Sequence, residues 1–129
     1  MDRSSQNPQK FRLLEGGAED RRTPEEELKA RVESEDDDLV ILDVRERDAY
    51  AAGHVPGAKL LPRGQLELRV DKELPDPTAR IVTCCEFGRI STLAASTLRT
   101  MGFQRAVALD GGMKAWLEAG YPTRAGALP

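Results

Sequence analysis

The sequence predicts an α/β domain: a small central parallel sheet of about five strands with helices on both faces. Two observations carry that reading. Short apolar runs begin near residues 39, 58, 81 and 105, about twenty residues apart, and the stretches between them have helical periodicity. The runs are also continuous rather than alternating, as strands covered on both faces must be.

Taken in order, residues 1–22 mix charge, Ser, Gln, Asn and Gly, with Phe11, Leu13 and Leu14 as the large apolar content after Met1. They read as a flexible N-terminal extension with a short strand near Phe11–Leu14, followed by a single domain over 23–125. Thr23-Pro24-Glu25-Glu26 reads as a helix start, with Thr23 as cap and Pro24 at the first helical position, and the helix runs to about Val32. Ser34–Asp38 is an acidic, solvated loop on which nothing else converges to hold a metal. Leu39–Leu42 is a buried strand. A short helix over Glu46–Ala52 is stopped by Gly53. Ala58–Leu61 is the next strand, and Pro62 opens a helix with Leu66 and Val70 on one side. Ile81–Cys84 is a third run. From Ile90 the residues Ile90, Leu93, Ala94, Thr97, Leu98 and Met101 fall on one helical face, and Gly102 stands where a left-handed cap belongs. Arg105–Leu109 is the last strand. Gly111 and Gly112 permit a tight turn into a final helix that packs Met113, Trp116 and Leu117 on the sheet.

At 129 residues, 40% hydrophobic and 32% charged, the chain is sized for one soluble domain. A net charge of -3 gives no reason to expect nucleic acid or an anionic membrane as partner. No apolar run has transmembrane or signal-peptide length. The two cysteines, Cys84 and Cys85, are adjacent and cannot build a disulfide framework. With a single histidine, His54, the ligand spacing of a zinc site is also missing. The expectation is a cytoplasmic, reducing setting, no metal or organic cofactor, and a monomer or weak homodimer.

The chemistry concentrates in Cys85-Glu86-Phe87-Gly88-Arg89-Ile90-Ser91. A thiol between a buried strand and a helix start faces unpaired N–H groups and the positive end of the helix dipole, which favour thiolate. Three reactions suit such a cysteine. Sulfur transfer needs this thiol, a nest of N–H donors and a cation for an anionic donor; Gly88 frees the bend and Arg89 brings the cation. Phosphate-monoester hydrolysis fits poorly: the cysteine phosphatase signature resembles His-Cys-x5-Arg, whereas here Cys84 precedes Cys85 and Ser91 stands six residues after it. A cysteine hydrolase would need His54 as base, yet Gly53-His54-Val55-Pro56-Gly57 is packed with turn formers and reads as structural. Cys84 closes the strand as a small buried residue and points opposite to Cys85, with a sulfur-relay role left open.

Three motifs in order resemble the rhodanese family, specifically its single-domain members. They are Leu42-Asp-Val-Arg45 with Ala49-Tyr50 and Gly53-His-Val-Pro-Gly-Ala58, the loop Cys85–Ser91, and Leu109-Asp-Gly-Gly-Met-Lys-Ala-Trp116 with Gly120 and Pro122. The resemblance spans roughly residues 23–122. It implies a small doubly wound domain in which Cys85 carries a persulfide, cradled by the amides of Glu86, Phe87, Gly88, Arg89, Ile90 and Ser91. It implies donors such as thiosulfate or a low-molecular-weight persulfide, and cyanide, a thiol or an acceptor protein as recipient. Asp43 and Arg45 are expected to be a structural pair anchoring the loop into the site. A second reading makes the domain a binding or regulatory module whose cysteine is not turned over. Many family members carry arginine where this chain has Glu86 and Ile90. The expectation is therefore that Glu86 repels thiosulfate, and that a bulkier or less charged persulfide donor is used better.

Overall fold

In the computed structural model, which describes residues 21–129, the elements in chain order are β1 (Arg22–Thr23), α1 (Glu25–Glu33), β2 (Leu39–Asp43), α2 (Arg47–Ala52), β3 (Lys59–Leu60), α3 (Leu66–Glu73), β4 (Arg80–Cys84), α4 (Arg89–Thr100), β5 (Ala106–Leu109) and α5 (Gly112–Glu118). A turn of 3₁₀ helix over Arg63–Gln65 leads into α3. The strands form one five-stranded sheet in the order β1-β5-β4-β2-β3, and every pairing is parallel.

The alternation of β4 shows how sequence becomes layers. Ile81 and Cys85 lie in one apolar cluster, Val82 and Cys84 in the other, because successive side chains of a strand leave opposite faces. The first cluster takes Leu66, Val70 and Leu74 from the α3 region and Ala94, Ala95 and Leu98 from α4. The second takes Leu28 of α1, Tyr50 of α2, and Met113 and Trp116 of α5. So α3 and α4 cover one face while α1, α2 and α5 cover the other. That distribution follows from right-handed crossovers, since β2 to β3 and β3 to β4 run in opposite directions across the sheet. Removing the fully buried Trp116 side chain would take away about 3–5 kcal/mol of this packing.

Several expectations change. The fifth strand is Arg22–Thr23, whereas the strand expected near Phe11–Leu14 and the flexibility of the N-terminal extension lie outside the described residues. Arg22 pairs with Ala108 in the sheet. Thr23 does not cap α1. Its carbonyl accepts the Asp110 N–H at 2.8 Å in the sheet edge, Pro24 takes the cap position, and no side chain caps the helix. On α4 the apolar count misjudges the buried face: Ile90 and Leu93 are 52% and 59% exposed, and Ser91, Thr92, Ala94, Ala95 and Leu98 turn inward. Leu117 is exposed, which leaves Met113 and Trp116 to seat α5. Gly102 does take the left-handed conformation, at φ +109°.

Candidate active site

Strand order changes direction between β2 and β4, so a ligand crevice lies off the carboxyl ends of those two strands. Cys85 is the first residue beyond β4. Its Sγ accepts the N–H of Gly88 at 3.1 Å and of Ser91 at 3.2 Å, and Ser91 Oγ lies 3.4 Å away. Gly88 and Ser91 stand at the start of α4, where backbone donors have no helical acceptor. Gly88 sits at φ +99°, which lets the chain fold back over the sulfur. Of the amides from Glu86 to Ser91, those of Gly88 and Ser91 bond Cys85 Sγ. Cys85 is only 4% exposed, so a slim terminal atom is what reaches it.

Three elements hold this loop. Thr83 Oγ1 donates to the Ser91 carbonyl at 2.7 Å, tying β4 to the first turn of α4. The Gly88 carbonyl accepts from Thr92 Oγ1 at 2.6 Å and from Ser91 Oγ at 3.2 Å. From the neighbouring helix, the Met113 N–H donates to the Cys85 carbonyl at 2.8 Å and the Lys114 N–H to that of Glu86 at 3.0 Å. The free donors of the α5 terminus are thus engaged by the peptide carbonyls of Cys85 and Glu86. Gly112 makes the approach feasible, since a Cβ there would stand 2.5 Å from the Cys85 oxygen and 2.7 Å from that of Glu86. The glycine pair was legible as a turn. Thr83, a hydroxyl in an apolar strand two residues before Cys85, was the signal passed over.

Asp43 and Arg45 form the anchoring pair expected of them. Asp43 is fully buried and accepts from Arg45 Nε at 3.0 Å and Nη2 at 2.8 Å, while Nη2 also donates to the Gly53 carbonyl at 2.8 Å. Arg45 Nη1 then reaches Glu86 Oε1 at 3.4 Å. Glu86 is therefore not the isolated carboxylate that the sequence suggests; it is the exposed end of a three-residue charge chain. Arg89, exposed at the first position of α4, pairs with no carboxylate among the described residues, and Phe87 is 63% exposed beside it. Ile90 likewise presents its side chain outward.

The two remaining candidates are structural. His54 is fully buried, stacked at 3.7 Å on Tyr50, with Nδ1 at 2.9 Å from the Tyr50 carbonyl, and its backbone bridges Arg124. Its Nε2 is enclosed and has no partner, so it has no route to act as base for Cys85. Cys84 is fully buried, and desolvation, reinforced by the Asp43 charge, pushes its thiol well above the ordinary range. Among the described residues no cluster of three His, Cys, Asp or Glu is arranged to hold a metal, and no helix is long and apolar enough to cross a membrane.

A doubly wound parallel sheet with a cysteine nested at its switch point defines a class of small domains that present one thiol at a strand end. The chain belongs to the rhodanese-like domain family, whose model matches residues 24–119. It is 38% identical over 86 residues to the thiosulfate sulfurtransferase GlpE of Pseudoalteromonas translucida, covering 66% of this chain and 78% of that protein. It is 34% identical over 101 residues to the GlpE of Pseudomonas entomophila, covering 78% and 85%. The crystal structure of the Alr3790 protein from Anabaena sp. superposes with a TM-score of 0.75 at 32% identity, covering 81% of this chain and 80% of that one.

Proposed function

We propose that the protein is a rhodanese-type sulfurtransferase in which Cys85 accepts the outer sulfur of a donor, stores it as a persulfide and passes it to a thiophilic acceptor. The observation that carries this reading is the convergence of two backbone N–H groups, those of Gly88 and Ser91, on a single sulfur. Such donors stabilise negative charge on sulfur, both on the attacking thiolate and on the persulfide that follows. In the first half-reaction Cys85 S⁻ attacks the terminal sulfur, the donor's S–S or S–SO₃ bond breaks, and thiolate or sulfite leaves with the electron pair. In the second, cyanide, a thiol or a protein thiol attacks the outer sulfur, and Cys85 departs as thiolate back into the same N–H bonds. No general base is required, in keeping with the sequestration of His54. The GlpE relatives, named as thiosulfate sulfurtransferases, support the reaction class.

Intact mass tests it. After incubation with thiosulfate or an organic persulfide the chain gains one sulfur, cyanide removes it, and Cys85→Ser gains none. Absence of the gain with every donor, or its persistence in Cys85→Ser, overturns the assignment.

A further inference from the structure

The mouth around Cys85 is electrically lopsided. On the β2 side stand Asp43, Arg45 and Glu86, two carboxylates joined by one guanidinium, so the chain of three carries one net negative charge. Its exposed end is the Glu86 carboxylate, 50% accessible, while Asp43 is sealed and Arg45 is 10% accessible. Arg45 has turned its N–H groups to Asp43, the Gly53 carbonyl and Glu86, so it is not an open cation for an incoming anion. On the α4 side stands Arg89, exposed and without a carboxylate partner among the described residues. The chain neighbours of Glu86 and Arg89, Phe87 and Ile90, are exposed apolar side chains. Lys114 pairs with Glu118, and Arg63 with Glu67.

We infer that this mouth selects zwitterionic donors, persulfidated amino acids or small peptides bearing a free ammonium and a carboxylate, over the dianion thiosulfate. The inference rests on the sulfur-transfer reading of Cys85 and specifies its substrate class. Thiosulfate brings two negative charges to a rim already net negative on one side, with Arg89 alone to receive them. An amino-acid persulfide places its ammonium toward Glu86 and its carboxylate toward Arg89, and its carbon skeleton lies along Phe87 and Ile90. Its terminal sulfur is slim enough to reach the 4% exposed Cys85. Cys85 S⁻ bonds to that sulfur, the donor's S–S bond breaks, and the amino-acid thiolate leaves with the electron pair. Glu86 and Arg89 are specificity residues here, touching the donor and not the reacting sulfur.

The experiment compares kcat/KM for three donors on the full chain: cysteine persulfide, 3-mercaptopropionate persulfide, which lacks only the ammonium, and thiosulfate. With wild type, cysteine persulfide is favoured over its des-amino analogue by about fivefold or more, the scale of one partly screened ion pair. Glu86→Gln brings that ratio to within about twofold and raises the thiosulfate value by about threefold or more, by the same arithmetic. A wild-type ratio near one overturns the inference without recourse to any variant, and so does a Glu86→Gln ratio equal to wild type. If all three donors load one sulfur on Cys85 while the ratios stay flat, the selectivity is wrong and the sulfurtransferase stands. If no donor loads sulfur, the underlying assignment falls instead.

Discussion

Cys84 and Cys85 are one peptide bond apart and nearly equally hidden, at 0% and 4% exposure, yet they occupy different chemical worlds. Cys84 points into the cluster of Ile41, Val82, Leu109, Met113 and Trp116, and its thiol makes no hydrogen bond among the described residues. Cys85 leaves the opposite face of the strand and receives two N–H groups with a hydroxyl beside it. Burial alone therefore does not decide whether a thiol is a reagent or a filler. What decides is whether the polar groups that replace water are aimed at the sulfur. The alternation of a strand produces both outcomes from adjacent identical residues, and the glycine-rich starts of α4 and α5 supply the difference.

The strongest way to break this contrast is to disturb the support of the Cys85 sulfur. Gly112→Ala does so, because its new Cβ would meet the Cys85 and Glu86 carbonyl oxygens at 2.5 and 2.7 Å, from a residue at φ +62°. Relief requires α5 to withdraw from the loop, so the bonds from Met113 and Lys114 are lost. The expected cost is about 2–4 kcal/mol in urea denaturation, from left-handed strain and overpacking. Sulfur uptake by Cys85 should fall by about tenfold or more, as 1.4 kcal/mol of lost positioning implies. An alanine variant as stable and as active as the parent would show that α5 does not hold the nucleophile's loop.

How much of this was readable from the chain follows the distance over which each interaction acts. Cys85, Gly88 and Arg89 were legible because a strand, a short loop and a helix start lie within one stretch, and helix-terminus physics is local. Tertiary relations were not. Arg45 and Glu86 are 41 residues apart, and nothing in either neighbourhood foretells the contact that converts Glu86 from a lone anion into the end of a charge chain. Gly112 announced a turn but not the close approach to Cys85, which only the pairing of β4 with β5 creates. The face of α4 was misjudged because hydrophobicity was counted and hydrogen bonding was not. Ser91 and Thr92 must face inward to serve the sulfur and the Gly88 carbonyl, and that requirement rotates Ile90 and Leu93 into solvent. Thr23 failed as a cap for a related reason, since the sheet edge claims its backbone.

A finer incision removes a single polar group from the cradle. Ser91→Ala deletes the hydroxyl 3.4 Å from Cys85 Sγ and keeps the Ser91 N–H bond to it. The Gly88 carbonyl keeps both donors of Thr92, at 2.6 and 3.1 Å, so folding stability should move by less than about 1 kcal/mol. The hydroxyl accepts from the thiol and donates to the Gly88 carbonyl, and once Cys85 is ionised it is free to turn its proton to the sulfur. Its loss should then lower the rate of sulfur uptake by about tenfold, the worth of one hydrogen bond to a charged sulfur. A single-turnover rate matching the parent would confine the cradle to its two amides.

The smallest expected effect tests the other sulfur. Burial raises the folded-state pKa of Cys84 above its ordinary 9.0, so the folded protein retains a proton that the unfolded chain gives up near that pH. The associated stability is fully present below about pH 9 and is lost as pH climbs above it, by up to about 1.4 kcal/mol per pH unit. Tyr50, raised from 10.0 chiefly by desolvation, adds a loss of the same sign beginning higher. Cys84→Ala separates the two. Its packing defect lowers stability at every pH, whereas the pH-dependent share belonging to Cys84 disappears and that of Tyr50 remains. Urea denaturation of both proteins at about pH 8 and about pH 10 should therefore show the parent's advantage shrinking by about 1 kcal/mol. If the gap stays constant across that range, Cys84 ionises in the fold as freely as in the open chain, and the contrast between the two sulfurs cannot rest on desolvation.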